Sequence, residues 1–399
     1  MLRSSFLLAP LFLMACSPEP LQSSTAASHS TRPSVEAAKS QTATPPVASG
    51  THPSNESNAT STGGQGAVKP PLRGLISMGA YKFRQEYGEP DNSLDTVRKK
   101  PELLQGIVIL ATWRSLEKSA TSGLSENNEI DQGLAEVRKY NSEHPTAPLA
   151  VKLRVWGGFF APDWVIEESG GPINVIDTNF RNVERPRVLG HVWSDAYRKE
   201  WAHLQELLAA KYDSDPLIRE VAVTSCQMKT AEPFIVDTHE GSIKPLRDAG
   251  LTDAAYKACL DGIVKDYAPW KTTRFETPLN PFKDTDDKPD RDAHFTIEWI
   301  KRCHQAEPVR CVFDNHNLEA DISHNKELDQ ILTAMKDSGA EVEFQSGPST
   351  PKDLGAMIRT GVSYGAASVE LWQDFGGFPD MSDAELRQNA KLLEDNRTK

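Results

Sequence analysis

Beyond residue 72, short apolar runs alternate with stretches whose apolar residues recur every three or four positions. The short runs read as strands at 74–80 (GLISMGA), 106–113 (GIVILATW), 149–156 (LAVKLRVW) and 219–226 (REVAVTSC). Four more follow at 272–277 (TTRFET), 310–315 (RCVFDN), 340–346 (AEVEFQS) and 367–373 (ASVELWQ). The intervening stretches read as amphipathic helices. Residues 128–144 set Leu134, Val137 and Tyr140 on one face, and 195–212 do the same with Trp201, Leu204, Leu207 and Leu208. Residues 326–337 carry Leu328, Ile331, Leu332 and Met335, while 252–266 and 382–396 open on the capping residues Thr252 and Ser382. Eight strands alternating with helices predict an α/β fold, a (β/α)8 TIM barrel. The rival, an open doubly wound sheet, is marked by a Gly-rich phosphate loop after its first strand, and none stands there.

The chain before this region is of another kind. Met1 and Arg3 are followed by the apolar run SSFLLAPLFLMA at 4–15, too short to cross a bilayer. That run ends in Leu13-Met14-Ala15-Cys16, which resembles the lipobox of lipoprotein signal peptides. The resemblance implies cleavage of residues 1–15, lipidation (palmitate among the acyl chains) on Cys16, and a membrane anchor. Several acyl chains on one cysteine would hold the protein stably. Ser17, with no Asp in that place, is similar to lipoproteins sorted to an outer membrane, so the expected location is the cell envelope, facing the periplasm or the exterior. Residues 17–70 are rich in Ser, Thr, Pro, Ala and Gly and lack aromatics, so residues 16–70 are expected to be a disordered tether. Residues 71–399 then form one barrel domain.

Charge and cysteine content narrow the partners. A net charge of −12 and no basic stripe argue against nucleic acid. Besides Cys16 there are Cys226, Cys259, Cys303 and Cys311, an even set that fits disulfides in an oxidising compartment, with three possible connectivities. Cys303 and Cys311 flank one helix-to-strand turn and are the first pair expected; four buried thiols are the alternative.

In a barrel of this kind chemistry sits where the strands end. Those ends carry Trp113-Arg114 and Glu117, the run 156–164 with four aromatics beside Gly157 and Gly158, and Ala231-Glu232-Pro233. They also carry Asp314-Asn315-His316, Glu343-Phe344-Gln345 and Glu370-Leu371-Trp372. The set is rich in carboxylates, amides and tryptophan, and it lacks nucleophilic Ser or Cys motifs. Such groups suit sugars, with indole faces against pyranose C–H faces and amides on hydroxyls. Glycosidic cleavage needs two carboxyl groups flanking the bond, about 5–5.5 Å apart in retaining enzymes. One imidazole beside Asp314 is too small a ligand set to define a metal site, so no metal or cofactor is expected. The acidic tract 283–290 lacks the Gly and terminal Glu of a calcium loop and reads as a solvated loop.

Here the chain resembles the clan of retaining (β/α)8 glycoside hydrolases of cellulase and β-galactosidase type. The resemblance implies a general acid/base after strand 4, matched by Glu232, and a nucleophile ending strand 7, matched by Glu343. Trp372 is similar to the strand-8 tryptophan that floors the sugar site; Trp113, Arg114, Asn315, His316, Gln345 and Glu370 would shape it. Ala231 stands where the clan has Asn, so the amide toward the sugar 2-hydroxyl is missing or comes from elsewhere. Glu370 competes with Glu343 as nucleophile, or is a structural partner of Lys152 or Arg154. The expectation is a monomeric glycoside hydrolase acting on a carbohydrate without cofactor. Its rivals are a non-catalytic glycan-binding lipoprotein, which carboxylates locked by Lys or Arg would favour, and another chemistry, such as a lyase using the Asp314–His316 group.

Overall fold

The computed structural model describes residues 67–78, 94–178, 184–229, 231–285, 291–347, 353–371 and 382–396. Eight parallel strands close into a barrel: β1 (Gly74–Ser77), β2 (Gly106–Thr112), β3 (Ala150–Trp156), β4 (Ile218–Ala222), β5 (Arg274–Pro278), β6 (Cys311–Asp314), β7 (Glu341–Gln345) and β8 (Ala366–Leu371). Each lies inside a predicted run or overruns it by one residue at one end, because a two-sided buried strand is a short apolar run. Closure comes from β1, whose Gly74–Ser77 pair with Ser368–Leu371 on one side while Ile76 and Ser77 pair with Gly106 and Ile107 on the other. The predicted helices appear as Glu129–Glu143, Asp195–Tyr212, Asp253–Asp266, Lys326–Asp337 and Asp383–Asp395. Ser382 caps the last with a full capping box through Glu385, and Thr252 accepts the amide of Ala255.

Alternation along each strand sorts the side chains into two cores. Leu75, Ile107, Ile109, Val151, Leu153, Val221, Phe275, Phe313, Phe344 and Val369 point outward and join the helices in the main apolar cluster. Ile76, Val108 and Leu110 face inward in a second, smaller cluster with Leu72 and Trp156. Most of the other strands turn charged side chains inward. Lys152 and Arg154 on β3 face Glu220, Glu276, Asp314, Glu343 and Glu370, all at most 1% exposed.

Two antiparallel hairpins lie outside the barrel, Ile173–Asp177 with Arg185–Leu189 and Phe282–Lys283 with Arg291–Asp292. Neither was expected: both belong to loops, where no long period exists to read. Disulfides join Cys303 to Cys311 and Cys226 to Cys259, with Cα atoms 6.4 and 6.1 Å apart. Among the described residues no helix is long and apolar enough to cross a membrane.

Candidate functional site

The loop after β4 is held from several sides. Cys226 is bonded to Cys259 on the helix Asp253–Asp266, and the hydroxyl of Tyr256 lies 2.8 Å from the carbonyl of Cys226 and 2.7 Å from that of Pro233. Ser225 donates to Asp266 at 2.6 Å. On the facing side Gly158 takes φ of 54°, and a Cβ there would stand 2.3 Å from the carbonyl oxygen of Met228. Only glycine lets the loops after β3 and β4 pack this closely.

This loop delivers Glu232 to the barrel mouth. Its Oε1 accepts from Asn280 Nδ2 at 3.0 Å, and the Asn280 Oδ1 accepts from Asn317 Nδ2 at 3.2 Å. Asn315 turns the chain after β6. Its amide nitrogen donates to the Leu279 carbonyl at 2.7 Å, and its Oδ1 accepts the Asn317 backbone N–H at 3.0 Å. His316 consequently hangs over the barrel, with Nδ1 4.0 Å from Glu232 Oε1 and Nε2 3.2 Å from Asp314 Oδ2 and 3.9 Å from Glu276 Oε1. Beside this mouth a cleft of about 330 Å³ is lined by Phe234, Asn280, Lys283, Asn317, His324 and Asn325, among others. That is the lower end of the size range of small-ligand sites.

Beneath lies the charged interior. Lys152 Nζ donates to Glu343 Oε2 at 2.6 Å and stands 3.7 Å from Glu370 and 3.9 Å from each of Glu220, Glu276 and Asp314. Arg154 clamps Glu370 in a bidentate pair at 2.7 and 2.9 Å. Burial lowers the Lys152 pKa, but Glu276, Glu343, Asp314 and Glu370 together raise it well above its ordinary value, so it stays charged. Burial drives Glu276, Glu220 and Glu343 upward. Burial also opposes ionisation of Asp314 and Glu370. It is outweighed by His316 and Lys152 for the first and by Arg154 and Lys152 for the second, and both end below the usual carboxylate range. Glu276 and Asp314 are thus shifted in opposite directions, Glu276 upward by burial and Asp314 downward by His316 and Lys152.

The residues singled out from the sequence are thus dispersed. Glu232 and His316 meet at the mouth. Glu343 sits in the interior on Lys152, and Glu370 on Arg154, the structural partnership weighed beside its catalytic role. Gln345 ends β7, opposite Glu370 in the ladder, and is 4% exposed. Trp113 requires correction: it is fully buried, 5.2 Å from the ring of Trp201 and 5.4 Å from that of Tyr197, and its indole N–H donates to Glu117. It begins a short helix directly after β2, which turns its side chain into the helical layer. Arg114 also leaves the sugar subsite expected for it, since its guanidinium donates to the carbonyls of Phe159 and Ala161 beside a separate groove with Asp163 and Arg187. Asn315 is wholly buried and used by its own turn. Trp372 and Cys16 lie outside the described residues.

Sequence reasoning missed Glu220, Glu276 and Asn280. For Glu276 the signal was present: in Arg274-Phe275-Glu276-Thr277-Pro278 the phenylalanine faces the helices, so alternation turns Glu276 inward.

No protein-family model and no curated protein sequence matches the chain. Solved structures similar to it include the β-galactosidase from the psychrophilic Marinomonas ef1 (13% identity, TM-score 0.45, 80% of this chain and 58% of that one). Endo-glycoceramidase II from Rhodococcus sp. is another (11%, TM-score 0.47, 79% and 78%), as is the β-galactosidase from Bacillus circulans sp. alkalophilus (12%, TM-score 0.47, 81% and 56%). The named neighbours are glycoside hydrolases. The chain spans little more than half the length of the two β-galactosidases, and at these identities the likeness concerns the fold alone.

Proposed function

We propose that the chain is a glycan-binding barrel, lipid-anchored through Cys16 at the cell envelope and carried on its 16–70 tether, with the sugar held in the cleft beside Asn280 and Asn317. One observation carries this reading. The two carboxylates that β7 and β8 present as nucleophile candidates are each 1% exposed and locked, Glu343 by Lys152 and Glu370 by Arg154. A nucleophile must reach the anomeric carbon, and one sealed in an ion pair beneath the mouth does not. The cleft supplies what a sugar needs instead, with side-chain amides at Asn280, Asn317 and Asn325 and charged heads at Lys283 and Arg291.

A second reading is the two-carboxylate retaining hydrolase, with Glu232 as acid/base and Glu343 as nucleophile. It is favoured by the Asn280 contact, which fixes the Glu232 carboxyl at the mouth as a proton donor must be fixed. A glycan array followed by calorimetry and a reducing-sugar assay on the same ligands separates the two. The binding reading expects a bound glycan without turnover, and affinity reduced about tenfold or more in Asn280→Ala, the size of one lost hydrogen bond. Turnover abolished in both Glu232→Gln and Glu343→Gln would replace it with the hydrolase.

A further inference from the structure

We propose that Glu276, Asp314 and His316 form a binding site for one divalent transition cation, of the zinc or manganese class, inside the barrel just below its mouth. One ligand atom from each residue lies within 4.8 Å of the others. The imidazole Nε2 is 3.2 Å from Asp314 Oδ2 and 3.9 Å from Glu276 Oε1. Two ligands bound about 2.1 Å from one tetrahedral ion stand roughly 3.4 Å apart, so small side-chain adjustments close the set.

A second observation is independent of this spacing. His316 Nε2, Asp314 Oδ2 and both carboxylate oxygens of Glu276 are buried without a hydrogen-bond partner of good geometry. Buried polar atoms left in this state are costly, and here they converge on one point. Lys152 does not fill the gap: its short bond goes to Glu343, and it reaches Glu276 Oε2 and Asp314 Oδ2 only at 3.9 Å. Glu276 therefore turns Oε2 toward the lysine and Oε1 toward the imidazole.

The charge balance points the same way. Five interior carboxyl groups (Glu220, Glu276, Asp314, Glu343, Glu370) face two permanent cations (Lys152, Arg154), so the acidic groups outnumber the cations and a divalent ion would add positive charge among them. An imidazole with two carboxylates suits zinc, manganese or ferrous iron better than the all-oxygen preferences of calcium and magnesium. Glu232 lies on the far, Nδ1 side of the imidazole, where a carboxylate orients a metal-bound histidine. The three ligands come from the middle of β5, the end of β6 and the turn after β6, and their separation in sequence hides the set.

The test uses the full chain, stripped with a chelator and titrated separately with Zn²⁺, Mn²⁺ and, for comparison, Mg²⁺, with stoichiometry read by calorimetry and Co²⁺ added as a spectroscopic probe. One equivalent of Zn²⁺ or Mn²⁺, tighter than Mg²⁺, is expected, with visible Co²⁺ bands of a site that includes nitrogen. His316→Gln should weaken binding by more than about a hundredfold and change those bands, since even outer-shell losses cost about ten- to a hundredfold. His203→Ala, on a half-buried helix position away from the site, should leave both unchanged. Absence of stoichiometric binding, or binding and spectra unaltered in a His316→Gln chain whose circular dichroism is native, overturns the site. Glycan binding is read at the neighbouring cleft, so either proposal fails without the other.

Discussion

On the inner wall of the barrel β1 and β2 present Ile76, Val108 and Leu110, whereas β4 to β8 present Glu220, Glu276, Asp314, Glu343 and Glu370, with β3 between them supplying Lys152 and Arg154. The first sector is an ordinary barrel core, where shape and buried area do the stabilising. The second is costly by construction. Every charge there has been removed from water, and its pairing partly returns what desolvation removed. A wall uniformly of the first kind would make a tighter domain. The charged sector lies on the side where Glu232 and His316 close the mouth, which ties its cost to the site rather than to the fold.

Lys152→Met breaks this comparison most sharply. It removes the cation shared by five carboxylates, of which Glu370 keeps Arg154, and loss of about 3–5 kcal/mol of unfolding free energy is expected from urea denaturation. A loss below about 1 kcal/mol would mean that the carboxylates are neutral and the hub is not electrostatic.

The pH dependence gives the next largest effect. Glu220, Glu276 and Glu343 have folded pKa values raised above 4.5, so the folded chain binds more protons than the unfolded chain above that pH, and stability falls as pH rises. Asp314 and Glu370, lowered on folding, contribute stability that is lost as pH drops below about 4. The metal-free protein should thus lose stability as pH rises above the ordinary carboxylate range and again as it falls below it, and Glu276→Gln should flatten the first of these declines. Parallel curves for the two proteins, measured as denaturation midpoints across this range, would remove Glu276 as the proton carrier.

The smallest effect belongs to the apolar sector. Ile76→Val deletes one methylene from a packed wall and should cost about 0.5–1.5 kcal/mol with no change in the pH profile. A pH-dependent loss there would show that the two sectors are coupled.

How much of this could be read from the chain differs between the two sectors. Strand existence was legible throughout, because outward residues such as Ile107, Ile109, Val151 and Leu153 repeat at period two whatever faces inward. In β3 the pattern also exposed Lys152 and Arg154 on the inner face, and two cations inside a barrel demand carboxylates opposite. What alternation does not give is which carboxylate meets which cation, since that depends on register around the closed sheet. Glu343 looks identical in sequence whether it faces a substrate or a lysine. Trp113 was misplaced because a tryptophan at a strand end can continue the strand or begin a helix, and here Thr112 accepts the amide of Ser115 and starts the helix. The pairing of Ile173–Asp177 with Arg185–Leu189 and the position of Asn280 depend on loop geometry that no periodicity encodes.

The pairing of β1 with β8 has a consequence in time. Strands from opposite ends of the domain must meet before the sheet has no edges, and Arg154 on β3 has its bidentate partner only when Glu370 on β8 arrives. Contacts this distant along the chain make for slow folding. Until β8 is in place the sheet is therefore open and this guanidinium lacks its bidentate partner, so sealing the barrel and pairing Arg154 are the same event.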